Sequence, residues 1–131
     1  MSALPCGSKY GDTASRRSFQ WSPELTGDAT MVSLYVRFNL VAGRKDQFLP
    51  RINALIDAMS AEPDFVSAVL SEDAESPDVL VLFEVWNGTA DQWLEVQPTR
   101  TYRAGYTNAT NDLFDTKEVH FLTPICIKQR K

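Results

Sequence analysis

From residue 31 the chain alternates. In MVSLYVRFNL, Val32, Leu34, Val36 and Phe38 fall on one side, and Ser33, Tyr35, Arg37 and Asn39 on the other. That period of two predicts a strand with one buried face. Ala42-Gly43 breaks it. The period then lengthens. Phe48, Ile52, Leu55, Ile56 and Met59 recur at helical spacing over residues 45–61, and Pro63 closes the stretch. Pro50 removes a backbone donor inside it, which predicts a late helix start or a small kink. Phe65 to Glu72 reads as a second strand, residues 73–77 as a turn, and Val79 to Trp86 as a third strand. That third strand is apolar on both faces apart from Glu84, the signature of a sheet covered on both sides. Thr89-Ala-Asp-Gln92 has the capping-box pattern of a helix start. Pro98 interrupts that helix, a further helical stretch runs over about 99–114, and Glu118 to Ile127 forms a last strand. Pro124 suits an edge or a bulge there.

The order β-α-β-β-α-β defines an α+β, ferredoxin-like domain over residues 31–131. Its two helices cover one face of a four-stranded sheet. The other face is bare in a single copy, yet Val79, Val81, Phe83 and Val85 are apolar there. A second copy related by a twofold axis would cover it, so a homodimer is expected. Residues 1–30 are rich in Ser, Thr, Gly, Pro and Asp and show no periodicity, which predicts an irregular N-terminal extension with Phe19 and Trp21 as its large anchors.

Composition narrows the function classes. The net charge of -4 over 131 residues, with no Lys/Arg cluster outside the terminal KQRK, argues against nucleic acid. No apolar run is long enough for a membrane span or a signal segment, which predicts a soluble, cytoplasmic protein. Cys6 and Cys126 lie at opposite ends without metal-ligand spacing, and sequence alone does not decide whether they pair. His120 is the one histidine, and no metal, phosphate or dinucleotide motif is present, so neither metal nor organic cofactor is expected.

Chemistry concentrates around the third strand. Alternation puts Glu84 and Trp86 on one face, and Trp93 follows on the next helix. In TRTYRAGYTNATNDLF, Tyr102, Tyr106, Ala109 and Leu113 share a helical face. Gly105 weakens that helix by about 1 kcal/mol relative to Ala, so the segment does more than pack. Trp86, Trp93, Tyr102 and Tyr106 are placed to sandwich a flat aromatic ligand. Glu84 is a candidate base, or else the partner of Arg37, Arg100 or Arg103. His120 is a second acid–base candidate, and Arg100 and Arg103 are candidate binders of an anionic oxygen. The plainer reading of each is ordinary packing or a solvated charge.

The segments VRFNLVAGRKDQFLPRINALIDAM, EPDFVSAVL, LVLFEVWNGTADQWLE and EVHFLTPI resemble, in order and spacing, the antibiotic biosynthesis monooxygenase family over about residues 31–127. The resemblance implies a dimeric α+β barrel. It also implies several activities: oxygenation of aromatic polyketides without metal or flavin, haem degradation, or isomerisation. Of the haem-degrading branch's residues only Trp86 is matched. Its Asn position falls on Val36, and the helix near Gln97 has no His.

The expected function is therefore a cofactor-independent monooxygenase. It would oxidise a polycyclic phenol, such as an anthrone, to a quinone with O2. A non-oxidative cyclase or isomerase, or a binding dimer without catalysis, are the alternatives. Triplet oxygen needs a single-electron donor, and a deprotonated phenolic substrate is one. The protein then supplies an aromatic cavity, a proton acceptor and donors for the developing anion. The expected set is Trp86, Glu84 and His120 as catalytic residues, with Trp93, Arg100, Tyr102, Arg103 and Tyr106 binding substrate.

Overall fold

A computed structural model describes residues 30–130; the N-terminal extension, apart from Thr30, lies outside the described residues. Strand β1 is Met31–Leu40, helix α1 Lys45–Ser60, β2 Phe65–Asp73, β3 Ser76–Asn87, α2 Ala90–Val96, α3 Thr101–Thr110 and β4 Phe114–Leu122. A 3-10 turn, Gln97–Thr99, joins α2 to α3 at Pro98. The sheet order is β2-β3-β1-β4, every pairing antiparallel, which is the ferredoxin-like arrangement expected.

The alternation of β1 translates directly into burial. Val32, Leu34, Val36, Phe38 and Leu40 all lie in the core. They meet Leu80, Leu82 and Trp86 of β3 and the inner stripe of α1, Phe48, Ile52, Leu55 and Met59. Phe48, Ile52 and Met59 lose all solvent contact, and burying such side chains contributes roughly 1.5–3 kcal/mol each. Pro50 sits inside α1 without delaying its start, which is set at Lys45. Its backbone is tolerated because the apolar stripe on either side of it docks on the sheet. Helix α3 ends at Thr110, four residues earlier than its apolar phase suggested. Leu113 still reaches the core from a turn, with its amide donating to the Thr110 carbonyl at 2.9 Å. The last strand starts at Phe114 and ends at Leu122, so it lies earlier in the chain than expected.

The junction between β3 and α2 is built from two local devices. Gly88 takes φ +104°, and a Cβ there would stand 2.7 Å from Gln92 Oε1. The capping box then closes: Gln92 N donates to Thr89 Oγ1 at 3.1 Å, and Thr89 N donates to Gln92 Oε1 at 2.9 Å. Thr89→Ala is expected to destabilise the protein by about 1 kcal/mol in urea unfolding, the usual cost of a lost N-cap. An unchanged midpoint would mean that the cap contributes nothing to global stability.

The open face of the sheet is apolar but unevenly covered. Val79 and Val85 are already buried within one copy, a correction to the expectation that all four β3 valine and phenylalanine positions there would meet water. Phe83 and Val69 remain exposed, at 36% and 58%. Residues Leu122 to Ile127, with Met31, Val66, Phe83 and Val85, border an apolar groove of about 620 Å3 on this side. Among the described residues, no helix is long and apolar enough to cross a membrane.

Candidate functional site

Strand pleating brings Glu84 and Trp86 to the helix-covered face, and there they bond to each other. The Trp86 indole Nε1 donates to Glu84 Oε1 at 2.8 Å. Both residues are almost fully buried, at 3% and 2% exposure. No arginine forms an ion pair with Glu84, and its Oε2 has no hydrogen-bond partner among the described residues. Burial pushes the Glu84 carboxyl above its ordinary range, only partly opposed by the indole hydrogen bond and by the charge of Arg103.

Aromatic rings extend from this pair. Phe65 meets Trp86 edge-on at 5.3 Å, Trp86 meets Trp93 at 6.4 Å, and Trp93 meets Phe121 of β4 at 5.5 Å. The Arg103 guanidinium lies over the Trp93 ring, 4.9 Å from its centroid, a cation–π contact. Arg103 is held by its Nε, which donates to Gln97 Oε1 at 2.9 Å, and by its Nη2, 3.0 Å from Met59 Sδ. Two buried donors have no partner among the described residues: Trp93 Nε1 and the Tyr106 hydroxyl. The Thr110 hydroxyl donates to the Tyr106 backbone carbonyl at 2.8 Å. Burial raises the Tyr106 phenol well beyond its ordinary range, so it stays a neutral donor. Unpaired buried donors cost about 1–3 kcal/mol each, a cost that an acceptor brought by a ligand removes.

Arg100 and Tyr102 border this group: the Tyr102 hydroxyl shares Gln97 Oε1 with Arg103, whose guanidinium lies 5.9 Å from the Tyr102 ring. Both converge on Glu62 at the end of α1. Arg100 Nε and Nη2 grip its carboxylate at 2.9 and 3.1 Å, and the Tyr102 hydroxyl donates at 2.6 Å. The Tyr102 hydrogen bond, ahead of Arg100, holds the Glu62 carboxyl below its ordinary range against some desolvation. Burial and Glu62 together push the Tyr102 phenol up to about 12. A cavity of about 400 Å3 opens between Glu62 and Arg100 on one side and Trp86, Trp93 and Gln97 on the other. A second one, about 280 Å3, lies in the groove between α1 and α3 beside Tyr102, Gly105 and Tyr106.

His120 is on the other side of the sheet. It pairs with Tyr35 across β1 and β4, their rings 5.9 Å apart, and it faces Glu118 at 3.7 Å with 58% of its side chain exposed. Pleating therefore separates it from Glu84 and Trp86. Of the remaining candidates, Trp93 meets the Trp86 ring and Arg103 lies over Trp93, whereas Tyr106 packs against Phe48 and borders the cavity between α1 and α3. Sequence reading missed Glu62 and Gln97. Gln97 is a buried polar side chain that carries both Tyr102 and Arg103 on its Oε1. Among the described residues, no three His, Cys, Asp or Glu side chains cluster as metal ligands would.

Comparison with known proteins bears on the fold and the family. A proposed monooxygenase of Pestalotiopsis microspora is 27% identical over 82 residues, 63% of this chain and 68% of that protein. Two solved structures share the fold: Rv0793 of Mycobacterium tuberculosis, and SnoaB of Streptomyces nogalater, a cofactor-independent oxygenase. Rv0793 has TM-score 0.65 and 23% identity, covering 73% of this chain and 96% of its own. SnoaB has TM-score 0.64 and 18% identity, covering 73% and 94%. Residues 31–106 match the family model for antibiotic biosynthesis monooxygenase, which takes in the Glu84–Trp86 pair, α1, α2 and the first part of α3, and the chain belongs to that family.

Proposed function

We propose that the protein is a cofactor-independent monooxygenase that oxidises a polycyclic phenolic substrate, of the anthrone type, to a quinone with O2. The observation that carries this reading is the buried Glu84 carboxyl hydrogen-bonded to Trp86, whose ring meets Trp93 with its unpartnered buried Nε1. The name of the Pestalotiopsis relative and the printed description of SnoaB point the same way.

In this scheme Trp86 and Trp93 hold the flat substrate. Trp86 also fixes Glu84 through Oε1, which leaves Oε2 to accept the proton. A carboxyl with a raised pKa is the stronger base once ionised. Arg103 and Tyr106 stabilise the resulting phenolate or enolate. That anion passes one electron to O2, and the two radicals combine at carbon to form a peroxide. Glu84 returns its proton as the O–O bond breaks, the second hydrogen leaves the same carbon, and water departs. The balance is substrate-H2 plus O2 giving the carbonyl product plus H2O.

The test is an oxygen electrode with 1,8-dihydroxyanthrone and purified protein. One O2 consumed per quinone formed, at a rate above the uncatalysed oxidation, is the expected result. Product formed without oxygen uptake would move the protein to the cyclase or isomerase class. No acceleration with a panel of anthrones that demonstrably bind would leave a binding dimer.

A further inference from the structure

The apolar groove on the open face of the sheet has one wall made by the tail after β4, where Pro124, Ile125, Cys126 and Ile127 follow one another. Ile125 is 85% exposed, an unusual place for so large an apolar side chain. Two features of this groove point to what covers it. The first is where the chain enters the domain. Residues 1–29 lie outside the described residues and join β1 through Thr30, whose carbonyl accepts from the Gly88 amide at 2.9 Å. Met31, the next residue, lines the groove, so the extension departs from the groove itself. The second is Cys126. It lines the same groove and is disulfide-bonded, and the other cysteine of the chain is Cys6.

We propose that a Cys6–Cys126 disulfide straps the N-terminal extension into this groove, with Phe19 and Trp21 seated against Pro124 and Ile125. Both ends of segment 7–30 are then fixed at one place, through Cys6 at Cys126 and through Thr30 at Met31. A segment held at both ends keeps its anchors beside the groove at an effective concentration on the order of millimolar, so it docks although most of it is polar. Phe19 and Trp21 are two apart and fall on one side of an extended segment. Rings of that kind bury about 150–250 Å2 each. Phe83 and Val69, paired across β3 and β2, stay open to a second copy. Forming the bond takes two electrons and two protons from the two thiols, and a small disulfide such as oxidised glutathione accepts them as two thiols.

The test uses the full chain, equilibrated with oxidised glutathione, in two measurements. Mass spectrometry of a non-reduced tryptic digest is expected to find peptide 1–9 joined to peptide 118–128, the fragments that hold Cys6 and Cys126. Two copies of 118–128 joined together, or both cysteines as thiols or glutathione adducts, overturns the strap. The second measurement is fluorescence of the apolar dye 8-anilinonaphthalene-1-sulfonate. The double variant Phe19→Ser/Trp21→Ser keeps the bond and loses the anchors, and it is expected to raise dye fluorescence by about threefold over the wild type. Circular dichroism and sedimentation check that fold and oligomeric state are those of the wild type. Unchanged dye fluorescence with the bond in place overturns the docking, and the groove then belongs to a second copy or stays open.

Discussion

Glu84→Gln is expected to abolish most turnover while making the protein more stable at neutral pH. The substitution keeps the shape and the acceptor for the Trp86 indole but removes the proton acceptor, and losing a general base costs about 10²–10⁴-fold in rate. The stability effect follows from linkage. Burial raises the folded-state pKa of Glu84 above its ordinary value of 4.5, so the folded state binds the proton more tightly than the unfolded one. The stability that this gives is fully present below pH 4.5 and is lost as the pH climbs through the raised value. Glutamine has no such loss. Urea unfolding at pH 4 and pH 8 should show the variant gaining on the wild type as the pH rises. Retained turnover would remove Glu84 from the chemistry. A stability difference that does not change with pH would show that its carboxyl is better solvated than the structure implies.

Phe83→Asp should turn a dimer into a folded monomer. Phe83 lies on the open face between its strand neighbours Val69 and Tyr35, and Val66 and Leu122 are also exposed on that side. We propose that a second copy covers this patch through a twofold axis. In such an interface every residue counts twice, so one substitution places two aspartates in it. Burying each unpaired carboxylate costs several kcal/mol, and about 4 kcal/mol in total already weakens the dimer roughly 1000-fold. Within one copy Phe83 is a surface residue on the face opposite the core cluster, so the monomer should keep its fold. Sedimentation at micromolar concentration decides it. A wild type that sediments as a monomer, or a variant that stays dimeric, would put the interface elsewhere.

Much of this was legible in the chain because it depends on short-range pattern. The alternation of β1, the spacing of Phe48, Ile52 and Met59, and the Thr89–Gln92 capping box each predict their own geometry. Glu84 and Trp86 are two apart on one strand, so pleating alone places them together. What was lost depends on long-range geometry. A register shift at Asn39/Leu40 puts Phe114 and Lys117, three apart, on one face, which simple alternation does not predict. That hid Lys117 and the start of β4. The alternation did separate His120 from Phe121, but only the pairing with Tyr35 shows which of the two faces the helices. Glu62 was invisible for another reason: its partners Arg100 and Tyr102 lie 38 and 40 residues away; the partners of Gln97 are near in sequence, but nothing in a Gln by itself announces a buried acceptor.

The place of β1 in the sheet has a consequence for biosynthesis. It is the first of the sheet's four strands to be made, yet it pairs only with β3 and β4, and β4 is the last of them to be synthesised. Until Phe114–Leu122 has left the ribosome, one edge of β1 offers unpaired amides and carbonyls along a row of large apolar side chains. Edges of that kind recruit other chains, and pairings this distant in sequence form slowly. The nascent protein therefore passes through a window in which β1, with its row of apolar side chains, is half paired, and rapid release of the segment that carries β4, or a chaperone that shields that edge, limits aggregation during synthesis.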